Sequence, residues 1–264
     1  MMRMGRTAGG LFGIVLISLL GGCMPNAVRP VNHRLVPVKT ILQDVDAYRS
    51  GEFTPSALPD QVLKTITNAD SQAVGFHRLS LDTYTTSVEN GGASIKHFTN
   101  HDLYDNEGNG LVSAKSTLSS NGIQLLMIFN LSYRNIYSVR SQNVSLNAAN
   151  AYGIIETHLL SHFDAAAMGH ELLYSYDSGY VWQTGNYGHA ESKCVFGQSF
   201  DASEVNPAIQ GSARDLDCQV SNQNGVVISN EHRVYLDRYG FAILLGRKNA
   251  TQEITFKVTG FKAD

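Results

Sequence analysis

Two periodicities divide the chain. Between residues 41 and 66 apolar positions recur at helical steps. Ile41, Leu42, Val45 and Tyr48 form one run, stopped by Gly51; Val62, Leu63 and Ile66 form a second after Pro59, a good first-turn residue. From Val74 the period shortens. Phe76, Leu79, Leu81 and Tyr84, and later Val112 and Leu118, sit in Thr-, Ser- and Val-rich segments. Asn90-Gly91-Gly92 and Asn109-Gly110 interrupt them, which is the signature of strands joined by tight turns. The strongest strand spans Ile123–Tyr133, after an Asn121-Gly122 turn. Its nearly continuous apolar run suits a strand buried on both faces or covered by a helix. A partner strand is expected around Ile136–Arg140.

A longer helix is expected next. Asn147 can cap it, Tyr152, Ile155, Leu159 and Phe163 follow at helical steps, and Gly169 lies beyond its end. Its stripe is expected to pack on the sheet that holds Leu125–Leu131. Strands then return: Leu172–Tyr176, Tyr180–Gln183, Leu216–Val220, Val226–Ser229, Arg233–Leu236, Phe241–Leu245 and Glu253–Phe261. Asn224-Gly225 is the best hairpin turn among them. These elements predict an α+β fold, predominantly antiparallel β-sheet with a few helices. The domain is expected over residues 37–264, with a subdivision near 165–170 as an option where helix gives way to strand.

The N-terminus follows another logic. Arg3 and Arg6 precede an uncharged apolar run from Leu11 to Leu20, too short to span a hydrocarbon core. It ends Leu20-Gly21-Gly22-Cys23. This stretch resembles the lipobox signal of bacterial lipoproteins, over the first 23 residues only. The resemblance implies a signal peptide over 1–22, cleavage before Cys23, and acyl chains on the Cys23 sulfur and on the new amino group. Several acyl chains anchor firmly where one alone is marginal. Met24, rather than Asp, after the cysteine implies the outer membrane, facing the periplasm. Residues 23–36, with Pro25 and Pro30 and no periodicity, read as a lipidated tether.

Removing the first 22 of 264 residues leaves 242, enough for one large domain or two small ones. The full chain carries −3, and losing the signal's two arginines leaves the rest near −5. Without a basic block, nucleic acid is not an expected partner. Export would place Cys194 and Cys218 in an oxidising compartment, and they are expected to pair. Closing that loop stabilises the fold by roughly 3 kcal/mol.

Candidate chemistry is sparse. His158 and His162, four apart on the expected helix, share a face with Glu156 nearby, a spacing that suits a metal; helix-end or solvated histidines are the plainer reading. Asp105, Glu107 and Asn109, before Gly110, resemble the start of a calcium loop. But Ser116 stands where a bidentate Glu belongs, so an acidic hairpin turn is the simpler assignment. Tyr174, Tyr176, Tyr180 and Trp182 flank Asp177-Ser178-Gly179, expected as a turn that puts the rings on one face. Such a face either stacks sugars, buries a partner's anchor or packs the core. No nucleophile elbow, P-loop or dinucleotide fingerprint occurs. No cofactor is expected beyond the lipid on Cys23. The chain therefore reads as a non-catalytic binding, assembly or inhibitor protein, held to the membrane by its lipid and engaging an envelope protein. Alternatives are a peptidoglycan hydrolase, whose acids would be distant in sequence, and a structural link from membrane to wall.

Overall fold

The computed structural model describes residues 35–166 and 171–264. The elements run in order β1 (Val36–Pro37), α1 (Val38–Gln43), α2 (Val45–Glu52), α3 (Asp60–Ala69), β2 (Arg78–Glu89), β3 (Ser94–Gly108), β4 (Leu111–Ser120), β5 (Ile123–Tyr133), β6 (Tyr137–Ser145), β7 (Asn150–Ala151), β8 (Ile155–Phe163), β9 (Glu171–Tyr180), β10 (Gly188–Asp201), β11 (Ser212–Asn222), β12 (Val227–Leu236), β13 (Phe241–Lys248) and β14 (Gln252–Ala263). Twelve of the strands close into one antiparallel barrel, in the order β10-β11-β12-β13-β14-β2-β3-β4-β5-β6-β8-β9. Closure is made where β14 pairs β2, from Gln252↔Glu89 to Ala263↔Leu79. The expected α+β class is thereby corrected: the fold is mostly β, and its short helices precede the barrel rather than forming a layer of their own.

The largest local correction is the helix expected from Asn147 to Phe163. Those residues supply β7 and β8. The register of β8 against β9 slips between Thr157 and Leu159 and again between Leu160 and His162. The apolar residues at helical spacing do not share a buried face: Tyr152 and Ile155 are exposed, and the buried positions of β8 are Glu156, Thr157 and Leu160, so pairing with β9 overrides the local spacing. The expected turn at Asp177-Ser178-Gly179 is also strand. β9 runs through it, with Gly179 opposite Glu156 on β8 and Ser178 opposite Gly188 on β10. The option of a break near 165–170 falls between β8 and β9, which are paired neighbours.

Other elements form as their residues dictate. Asn109-Gly110 and Asn121-Gly122 hold positive φ at both positions (50° and 71°, 51° and 77°), as two-residue hairpin turns require. The first helical run breaks at Asp44, whose carboxylate accepts from Ala47 N–H at 2.9 Å and starts α2. In α3, Val62 and Ile66 are buried one turn apart. They join Ile41, Phe53, Phe129 and Leu131 in a cluster, with Phe53 stacked on Phe129 at 5.4 Å. The covering of β5 thus comes from the N-terminal helices.

The opposite face of β5, with Ile128, Asn130 and Ser132, looks into a cavity. The β5–β6 hairpin divides the molecule: Tyr133 and Tyr137 turn toward Tyr174 of β9, at ring distances of 6.4 and 5.3 Å. β6 and β8 pair only through Arg140↔Glu156 and Ser141↔Ile155. Strand direction sorts the turns into two rims. The upper rim carries the β2–β3, β4–β5, β9–β10, β11–β12 and β13–β14 connections and the β6–β8 segment. The lower rim carries the others and is covered by Phe76, Ile209 and Tyr239, all buried.

Candidate functional site

Alternate residues of β2–β6 and β12–β14 enclose a cavity of about 670 Å³, within the usual range for small-ligand sites. Its position follows from the pleat. On β2, Leu79 and Leu81 face inward near the lower rim, and Thr83, Thr85 and Ser87 continue the same face upward. The inward side therefore passes from a packed apolar floor to a polar chamber. Phe98, Leu118, Ile254 and Phe256 supply apolar wall between the polar groups.

Several of these polar groups lack partners. Among the described residues, Thr83 Oγ1, Asn100 Oδ1 and Ser132 Oγ are buried without a hydrogen bond. Asn100 does donate through Nδ2 to Thr85 Oγ1 at 3.1 Å. An unpaired buried polar atom costs about 1–3 kcal/mol, so three around one cavity mark a chamber shaped for an occupant that can hydrogen-bond. Asp102 stands beside them. Burial pushes its carboxyl up to about 6, and hydrogen bonds from Ser116 and Tyr104 offset part of that rise.

The charges at the chamber are otherwise paired. Glu231 accepts from Arg233 Nη2 at 2.6 Å and from Arg247 Nε at 2.8 Å. Burial would raise its carboxyl, but the two guanidiniums more than offset this and hold it low. Arg233 also donates to Asn135 O, tying β12 to the β5–β6 turn. At the mouth Lys96 binds Glu89 at 2.8 Å, and Gln252 Nε2 donates to Ser87 Oγ at 2.9 Å.

The residues singled out by the sequence lie elsewhere. Cys194 and Cys218 sit directly opposite on β10 and β11 and form the disulfide. Cys23 lies outside the described residues. His158 and His162 are on strand β8, not a helix, and point to different partners: Tyr180 O at 3.1 Å and Asp164 at 3.0 Å. The His158 ring also stacks on Tyr187 at 4.1 Å. Asp105 is bound by Arg49 and by Arg78 (2.6 Å), Glu107 accepts from Ser113 at 2.7 Å, and Asn109 forms the hairpin turn. Among the described residues no group of three His, Cys, Asp or Glu converges as metal ligands do.

The aromatic set divides. Tyr174 is fully buried in the core, and Tyr176 packs on Tyr137 at 4.8 Å. Tyr180 and Trp182 stack on each other at 4.7 Å at the upper rim, where the Trp182 ring lies over Gly153 so closely that no Cβ would fit there. Thr83, Asn100, Asp102 and Ser132 escaped the sequence reading. On β2 and β3 polar residues occupy both faces, so alternation could not tell inward from outward there, and on β5 Ser132 ends a run read as apolar throughout.

The fold and chamber define a class: a closed antiparallel β-barrel with an internal cavity of mixed polar and apolar lining, stapled by one disulfide. Set against known protein families and curated proteins, the chain matches none.

Proposed function

We propose that this is a lipid-anchored, non-catalytic binding protein of the cell envelope, whose barrel holds a small neutral ligand rich in hydroxyl or amide groups. The observation that carries this reading is the set of unpaired atoms of Thr83, Asn100 and Ser132 around one 670 Å³ cavity. Phe98 and Phe256 supply apolar faces against which a ring could lie. The outward strand positions argue against a barrel that spans a bilayer. Lys193, Asp217 and Glu253 stand there with exposed side chains, where a lipid-facing band needs apolar residues.

A glycan hydrolase would need two cooperating carboxyls, one kept protonated. Asp102 has the raised affinity for protons that such an acid needs, but Glu231 and Glu89 are committed to ion pairs. Binding without turnover is the better fit. The test is native mass spectrometry of the protein released gently from its own membranes, beside a Thr83→Val/Ser132→Ala variant. A bound small molecule that the variant loses supports the reading. An empty barrel, together with hydrolysis of wall glycan that Asp102→Asn abolishes, would replace it with the enzyme.

A further inference from the structure

The two rims differ in a way the cavity does not explain. At the upper rim three hairpin tips expose large aliphatic residues: Ile95 at 59 %, Ile123 at 65 %, and the run Val226–Ile228 at 44–57 %. Tyr152, in the β6–β8 segment at the same end, is 72 % exposed. Among the described residues the lower rim keeps its large apolar side chains covered, with Ile209 at 1 % and Tyr239 at 7 %.

The chain joins the barrel at that same upper end. Val36 pairs with Ala151 between β6 and β8. Only 12 residue steps separate Cys23 from Leu35, a contour of at most about 43 Å. A lipid on Cys23 therefore holds the point where the chain enters the barrel, at the upper rim, within that reach of the bilayer. Aliphatic tips flanked by Tyr and Trp are also what a membrane interface selects, since amphipathic rings favour the headgroup level. Charge is not the attraction. Lys96 is paired to Glu89 and Lys248 to Glu253, so the charges beside two of the tips cancel.

We propose that the upper rim docks on the bilayer surface, with Ile95, Ile123 and Val226–Ile228 inserted at the headgroup–acyl boundary. This rests on the lipid-anchor reading of Cys23. The cavity mouth at Glu89, Lys96 and Gln252 then faces the membrane.

The test uses the full lipoprotein in vesicles of zwitterionic lipid, after its intact mass has shown the acyl chains. Trp182, the only tryptophan, reports from this rim. Two further probes are single labels at Ile123→Cys and, at the lower rim, Ala208→Cys. With lipids brominated on the acyl chain, Trp182 and the label at 123 are expected to be quenched several-fold more than the label at 208, equally at low and high salt. Ile95→Glu/Ile123→Glu/Val227→Glu, all on exposed tips, is expected to remove at least half of the Trp182 quenching. Equal quenching at both rims in acylated protein overturns the docking while leaving the anchor intact. Copies that crosslink through Ile123→Cys without quenching also overturn it, in favour of self-association. A mass without acyl chains removes the anchor and the docking together.

Discussion

Two buried hydroxyl environments in this barrel could hardly differ more. At the lower rim, Tyr133 donates to Asp70 Oδ2 at 2.5 Å and accepts from Ala166 N–H at 2.9 Å. Arg134 donates to the same carboxylate at 2.8 Å, and to Gly240 O and Gln72 O at 2.9 and 3.0 Å. In the cavity, the hydroxyls of Thr83 and Ser132 find no hydrogen-bond partner among the described residues. Tyr133 and Ser132 are consecutive on β5, one buried in the core cluster and the other lining the cavity. The first set ties α3, the β5–β6 turn and the β12–β13 turn into one unit, so its polar groups stabilise the fold. The second adds nothing to the fold, which is why it is assigned to a ligand.

Removing Asp70 should break the comparison most sharply. Asp70→Ala strands Arg134 in a site where its side chain is 6 % exposed, so a loss of about 3–5 kcal/mol is expected in urea unfolding. Burial tends to raise the Asp70 carboxyl, but hydrogen bonds from Tyr133, the Gln72 backbone and Arg134 more than offset it and hold it below the usual range. A depressed folded value makes this contribution complete above the ordinary carboxylate pKa and lost as pH falls through the lowered one. Stability of the native chain should therefore drop in strong acid, and the drop should be shallower in the variant.

The disulfide comes next. Cys194→Ala/Cys218→Ala opens a loop of sequence separation 24 and should cost roughly 3 kcal/mol, read from the urea midpoint. It staples the wall opposite the cavity, so ligand retention should survive under conditions where the variant is still folded. Loss of ligand at full folding would tie the two regions together.

Legibility followed the same division. Hairpins announced themselves through Asn109-Gly110 and Asn121-Gly122, where both positions take positive φ, and through Asn224-Gly225, where Gly225 does. Strand β5 has the bounds its apolar run suggested, and the cysteine pair was visible from residue type and inferred export. What could not be read was non-local. No property of Gln252–Ala263 names Arg78–Glu89 as its neighbour, yet that ladder closes the barrel. In β8 the residues at helical spacing, Ile155 among them, are not the buried ones, and only the pairing with β9 makes the segment a strand. The chamber was hidden because inward Thr83, Thr85 and Ser87 alternate with outward Asp82, Tyr84 and Thr86, so both faces read as polar surface.

Asp102 sharpens the comparison from the cavity side. Its carboxyl, at about 6 in the fold, binds protons more tightly than the ordinary 3.8. Between those values the folded state holds more protons than the unfolded one. Stability therefore falls as pH rises through that window and levels off above it, opposite in sign to Asp70. The shift corresponds to on the order of 2–3 kcal/mol. Asp102→Asn should be the more stable protein at neutral pH by up to that amount, and the slope between about pH 4 and about pH 6 should flatten. Urea unfolding across that range checks both; an unchanged slope would mean that the cavity solvates the carboxylate.

The smallest expected effect separates the two environments most directly. Tyr133→Phe deletes a hydroxyl with three partners and leaves Asp70 short of a donor, so about 1–3 kcal/mol should be lost. Thr83→Val deletes a hydroxyl with none, at nearly constant volume. Its cost should be nil, or it should stabilise by up to about 1 kcal/mol, because the orphan group no longer has to be desolvated. The sign is the informative part. A destabilisation comparable to that of Tyr133→Phe would mean that Thr83 is satisfied by fixed water, and the chamber would then be a hydrated piece of core. A neutral or stabilised fold that has lost its ligand would show that the hydroxyl is kept for binding alone.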